Sequence, residues 1–477
     1  MKAPFSPYLS SIAPGLRRLC ALLEAHFDSV SILSTDSRGF TLRASPHAKS
    51  VSNQTMTTER GTVVRVHRYG LYSEYSLNRF DPQRPEACAD AILRELQAQL
   101  SLLQSSGVAP YDTPAPDDPP QTLLAEMETG RLPEEEDLSA LIGRLSALAE
   151  EGMHRGNHLV DCTLSAQSTH VCKLFLTKNR DLRQSYVYSE GSVMTVASDG
   201  EKSGMGYRGL SGRCGPELFD GFPAALEEAL KDAADVLSAE RVVPGEYEII
   251  ADPEVAGLIA HEAFGHGVEM DMFVKNRALG ADYIGKRVGS DLVTMHEGAL
   301  AACEVSSYAF DDEGNPAGDV VEIDHGILKT GICDALSALR LGVAPTGNGK
   351  RENFEHKAYT RMTNTVFEAG DSTLEEMIAS IRHGYLLRGS ESGMEDPKHW
   401  GIQCIVSRGY EIRDGRLTGK VVAPVVLTGY VPDLLGSVSM LGKQVSVFGT
   451  GGCGKGTKEW VKVSDGGPYL KARAILG

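Results

Sequence analysis

His261-Glu262-Ala263-Phe264-Gly265-His266 puts two imidazoles and a carboxylate into six residues of a segment that reads as helix. Imidazole is a good metal ligand, and a carboxylate beside a metal-activated water is a general base. The spacing is unusual. Histidines at i and i+4 lie about 40° apart around a helix, whereas i and i+5 splay by about 140°. A single π-type turn, with its i→i+5 bond, returns both to one face. Gly265 lowers the cost of that distortion. A metal site here therefore predicts a locally widened helix. The competing reading is two unrelated histidines on a buried helix.

No local rule supplies a third ligand. A catalytic zinc takes three protein ligands and keeps one position open. The candidates after the motif are Glu269, Asp271, His296, Glu297 and Cys453. Cys453 lies in Phe448-Gly449-Thr450-Gly451-Gly452-Cys453-Gly454-Lys455-Gly456. Glycines on both sides give it backbone freedom and little cover, which suits a thiolate reaching for an ion. The same features fit a small thiol buried in a tight turn. The residues alone leave both open. The stretch also approaches a phosphate-binding loop, but Gly456 stands where Ser or Thr must hold magnesium. Glu459–Val463 then reads as strand, so nucleotide binding is not expected.

Two further strings could meet a peptide. Pro345-Thr346-Gly347-Asn348-Gly349-Lys350-Arg351 is a glycine-rich basic loop whose amides and cations suit a carboxylate or carbonyls. In Arg361-Met362-Thr363-Asn364-Thr365, the Thr and Asn side chains can hydrogen-bond an extended backbone. Asn348, Lys350, Arg351, Thr363 and Asn364 are thus the substrate-binding candidates, with ordinary turns as the alternative. Glu269 and Asp271 could orient a ligand histidine, or be surface acids past the helix end.

The second half of the chain resembles the TldD branch of the TldD/PmbA proteins. The resemblance rests on His261 to Asp271, Ala344 to Glu352, Arg361 to Thr365 and Gly451 to Lys455, four strings in one order over about 200 residues. The first half matches more loosely, at Glu59-Arg60-Gly61, Arg65-Val66, Asp199-Gly200 and Gly206-Tyr207-Arg208-Gly209. The resemblance implies a zinc metallopeptidase with ligands His261, His266 and Cys453 and Glu262 as base. It sets the chain apart from the PmbA/TldE branch, which lacks the histidine motif. It also implies a dimer, with itself or with a TldE/PmbA-like chain, around a chamber that admits small or unfolded peptides.

Composition agrees with a soluble enzyme of two or more domains at 477 residues. A net charge of −17 disfavours nucleic acid or an anionic membrane as partner. The family's older association with DNA gyrase gains no electrostatic support from it. No basic stretch precedes an apolar run at the N-terminus, and no run approaches the ~18 residues of a membrane span. The nine cysteines include no CxxC pair. Reduced thiols in a cytoplasm are expected.

The pattern predicts an α+β chain. Residues 1–240 form an N-terminal mixed domain, with helices over 8–27, 85–103 and 223–239. Strands are expected over 39–51 and 62–76, the latter turning at Tyr69-Gly70. The acid run Glu134–Asp137 opens another helix. Several short strands follow over 158–198, with a turn at Lys178–Asp181. An exposed connection lies near 105–122. Residues 241–477 form a strand-rich, mostly antiparallel catalytic domain that carries the metal-binding helix. Its strands fall near 247–251, 320–323, 403–413 and 420–427. The expected function is zinc-dependent hydrolysis of small or unfolded peptides. The alternatives are a zinc amide hydrolase that matures a modified peptide, and a non-catalytic partner or chaperone keeping a structural zinc. A structural zinc is normally closed by four protein ligands, and only three strong ones are visible.

Overall fold

The computed structural model describes residues 1–106, 112–156, 158–455 and 458–477. An eight-stranded sheet occupies the first half, in the order 71–77, 60–68, 29–44, 159–176, 180–198, 121–126. Strand 49–52 adds beside 29–44, and strand 203–212 beside 180–198. All pairings are antiparallel except 121–126 with 180–198.

Period-two alternation sorts the two faces of this sheet. Val30, Ile32, Phe40 and Leu42 point to the helical side with Leu164 and Leu174. Helices Pro7–Glu24 and Pro85–Ser105 cover one end of that face, and Leu138–Arg155 and Phe222–Leu237 the other. Leu33, Val171, Phe175, Tyr186 and Tyr188 point to the opposite face, where Ala299, Val305, Tyr308 and Phe310 pack from the second half of the chain.

Several boundaries differ from the sequence pattern for a shared reason. The strand expected over 39–51 begins at Ser29 and turns at Ser45–Ala48. Its first part is disguised by Ser34, Thr35, Asp36 and Ser37, all buried. Internal bonds satisfy them: Ser34 shares a 2.6 Å bond with Thr62, and Asp36 accepts from Ser6 and Arg60. In place of several short strands, Leu159–Leu176 and Arg180–Ser198 are two long ones. Neighbours on both edges carry each past its polar residues. The acid run forms a 3-10 turn at Pro133–Glu135, and Asp137 then caps helix Leu138–Arg155. Of the connection expected near 105–122, residues 107–111 lie outside the described residues, and Gln121 already belongs to a strand.

In the second half, five strands pair in a closed ring: 383–396, 245–251, 470–476, 425–430 and 401–413, the last returning to 383–396. Strand Arg416–Val422 extends it. The strand expected over 420–427 is broken at Ala423-Pro424, because proline offers no N–H to a ladder. A six-stranded sheet lies beside the ring, in the order 327–328, 320–324, 295–297, 364–367, 464–467, 446–448. Helix Pro253–Ala260 is enclosed among these strands, with Val255 through Ala260 all buried. Among the described residues no helix is long and apolar enough to cross a membrane.

Candidate metal centre

Asp252 starts the central helix by accepting the Val255 N–H at 2.9 Å. The helix is regular to Ala260 and then widens. The N–H of His266 donates to the carbonyl of His261, an i→i+5 bond. The expected π-type turn is therefore present, and it sets the two imidazoles 5.1 Å apart. Gly265 serves it differently than expected. Its φ of −61° is ordinary helix, but a Cβ there would lie 2.3 Å from Met362 Sδ. The glycine provides space.

Cys453 arrives from a hairpin of strands 453–455 and 458–461. Its Sγ lies 3.2 Å from His266 Nε2. One ligand atom from each of His261, His266 and Cys453 falls within 4.8 Å of the others. The chemistry of the group suits zinc, which takes imidazole nitrogen and thiolate sulfur. Burial favours a neutral thiol, but the two imidazoles outweigh it and bring Cys453 down to about 5. His261 Nδ1 is buried with no hydrogen-bond partner among the described residues. A donor set of this kind, partly unpaired and poised to be anionic at sulfur, fits a divalent cation.

Around it lies a network the sequence only hinted at. Glu269 accepts from His266 Nδ1 at 3.1 Å and so orients that ring. Burial disfavours its charge, yet Lys455, His266 and Arg361 hold its carboxyl well below the usual range. Fully buried Arg361 is the hub. It donates to Glu269, to the Cys453 carbonyl and Sγ at 3.1 Å, and to the Glu459 carbonyl. Asp271 pairs with Lys275 and Lys455. Removing a partner from a buried ion pair typically costs about 3–5 kcal/mol. Arg361→Met is expected to lose that much, read as a lower denaturant midpoint, with Arg361→Lys intermediate. An unchanged midpoint for Arg361→Met would refute the hub.

The group opens into a cavity of about 900 Å³, lined from both halves of the chain: Met205, Tyr207 and Gly209 on one side, the metal group and Gly389–Glu395 on the other. Glu262 lines it too, its carboxyl raised by burial and held back in part by His261. Gly393 touches Glu262 so closely that a Cβ would sit 2.4 Å from the glutamate Cγ. Sequence reasoning missed Gly393, Glu395 and Asp465 in this cavity. Burial pushes Glu395 up to about 9, offset in part by His266, and lifts Asp465 to about 6 against His261.

The other sequence candidates sit elsewhere. None of Asn348, Lys350, Arg351, Thr363 and Asn364 lines the large cavity. Asn348, Thr363 and Thr365 all donate to buried Glu297, which leaves that carboxylate occupied. Asn364 donates to the Gly298 carbonyl. Lys350 donates to Ser306 and to the carbonyls of Met362 and Lys462, and burial with Arg361 nearby brings its ammonium down to about 7. Arg351 pairs with Glu74 across the two halves. Most of their polar atoms are engaged within the protein, while Asn364 Oδ1 and Arg351 Nε are buried with no hydrogen-bond partner among the described residues. His296 is held between Asp319 and Glu368, each at 2.8 Å. The glycine run after Phe448 leads to a hairpin, so it opens no phosphate-binding helix; Gly456 lies outside the described residues.

Residues 244–475 match the family model described as PmbA/TldA metallopeptidase C-terminal domain. The chain is 31% identical to Metalloprotease TldD homolog of Haemophilus influenzae over 365 residues, 70% of this chain and 74% of that one. It belongs to the TldD/PmbA family. Metalloprotease MJ0996 of Methanocaldococcus jannaschii is 36% identical over 260 residues, and the match spans 54% of this chain and 57% of that relative's length. Zinc metalloprotease TldD homolog of Saccharolobus solfataricus is 28% identical over 61% of this chain and 62% of its own. The fold is shared with TldE from Thermococcus kodakarensis, at a TM-score of 0.76 and 18% identity over 97% of this chain and 99% of that one.

Proposed function

We propose that this TldD/PmbA chain is a zinc-dependent peptidase acting on small or unfolded peptides. The observation that carries the reading is the convergence of His261, His266 and Cys453 beside Glu262 on one cavity wall. His261, His266 and Cys453 would hold the ion. Zinc bound there supplies Lewis acidity toward a water and a substrate carbonyl. Glu262 takes the proton from the water as it attacks and gives it to the leaving amine. Glu269 and Arg361 keep His266 and Cys453 in place throughout. A carboxyl that exchanges a proton twice must be held to a fraction of an ångström. Gly393→Ala, which drives a methyl into Glu262, is therefore expected to lower peptide hydrolysis about 10²-fold. An unaltered rate would show that this contact does not position the base.

Elemental analysis tests the metal directly: protein purified without added metal is expected to carry about one zinc per chain. Less than a tenth of that, with no gain on adding zinc, would remove the reading. We further propose a division of the chain at 240/241, supported by the confinement of the eight-stranded sheet to residues 29–212. The working unit is taken to be a dimer, with itself or with a TldE/PmbA-like chain, on the family resemblance. Sedimentation at micromolar concentration showing monomer alone, with no co-purifying homologue, would count against it. A cytoplasmic setting is supported by nine free cysteines.

A further inference from the structure

The strand His383–Asp396 forms one wall of the cavity, and its side chains alternate across the sheet. Gly393 faces Glu262 so closely that the two are in contact. Glu395, two residues on, leaves the strand on that same face, about 7 Å along it. It lines the cavity, and both its carboxyl oxygens are shielded and without a hydrogen-bond partner among the described residues. The cavity's own permanent cations are already engaged. Arg408 is held by Asp232, and Lys455 by Glu269 and Asp271. A carboxylate withdrawn from water without a counter-charge is costly to keep. A buried carboxyl with no partner of its own, which holds its proton until a positive charge comes near, is complementary to a cation that arrives from outside.

Building on the peptidase reading above, we propose that Glu395 anchors a positive charge on the peptide, so that the cavity selects cationic substrates. Two sources share that chemistry: the peptide's amino terminus, and a lysine or arginine side chain. An extended chain advances about 3.3–3.6 Å per residue. The cation therefore lies within about two residues of the bond that Glu262 serves.

The test compares zinc-loaded wild type, Glu395→Gln and Glu395→Asp on three peptides of one sequence. The first has a free amino end and one lysine. The second is N-acetylated. The third is N-acetylated with norleucine in place of lysine. Charge-assisted hydrogen bonds bring about tenfold or more. Wild type is expected to show a KM at least tenfold lower for the first peptide than for the third, and the second identifies the source. In Glu395→Gln that ratio is expected to collapse toward one, while Glu395→Asp, which keeps an ionisable carboxyl, retains most of it. A wild type indifferent to peptide charge would overturn the proposal. So would a Glu395→Gln variant slowed equally on all three peptides, since that marks a structural carboxyl. Fluorescence anisotropy of the same labelled peptides gives Kd ratios independently of turnover. Charge-dependent binding without cleavage would sink the peptidase reading and leave the anchor standing. Cleavage without charge preference would do the reverse.

Discussion

Glu262→Gln is expected to leave the protein folded and metal-loaded while peptide hydrolysis falls by about 10²–10⁴-fold. Glutamine keeps the size of the side chain and its contact with Gly393. It cannot accept the proton. The metal group is built from other residues, so its affinity is expected to change little. The measurement is cleavage of a short unstructured peptide by wild type and variant, with zinc quantified in each. A Glu262→Gln variant that cleaves as fast as wild type would mean that another group is the base. Glu395 and Asp465, two of the other carboxyls that line this cavity, would then be the next to test.

Cys453→Ala is expected to lose both zinc and activity, and so separates a ligand from a bystander thiol. The two readings left open by the glycines around Cys453 make opposite predictions. A thiol that merely fills space costs little metal when removed. A thiolate 3.2 Å from His266 removes one of three donors, and the loss should match that of His261→Ala. Full zinc occupancy surviving in Cys453→Ala, by elemental analysis after dialysis, would assign the third donor elsewhere. Both variants need only a folded chain, checked by circular dichroism, to be decisive.

Much of the fold was legible where apolar residues keep a regular period. Leu9, Leu16 and Leu23 mark the first helix, and Ala91, Leu93, Leu96 and Leu100 the second. The π-type turn could be read because two histidines five apart had only one geometry in which to cooperate. Legibility failed where polar residues are buried. Ser34 to Ser37 look like loop, yet lie inside a sheet because hydroxyls and Arg60 satisfy them. Glu395 failed for a related reason. Ser390-Glu391-Ser392-Gly393-Met394-Glu395 reads as solvated chain, and only the fold shows that this edge passes Glu262. The loop Asn348–Arg351 and the Arg361 string show what the sequence could not display, their internal partners. Their polar groups suggest ligand contacts in the sequence, and in the fold Asn348 donates to distant Glu297 and Arg351 pairs with distant Glu74.

Cys453 and His266 are 187 residues apart in the chain. Bringing such distant points together has an entropic cost that grows only as the logarithm of the intervening length. In many small metalloproteins the ion itself must meet it, and the chain collapses when the metal leaves. Here Arg361 ties the hairpin to the central helix from a third position in the chain, through the Cys453 and Glu459 carbonyls on one side and Glu269 on the other. The long loop is thus tied by protein contacts in addition to the ligand group itself. If the group holds zinc, its uptake and release are expected to be local events, with chelation removing the ion while the global unfolding transition stays cooperative.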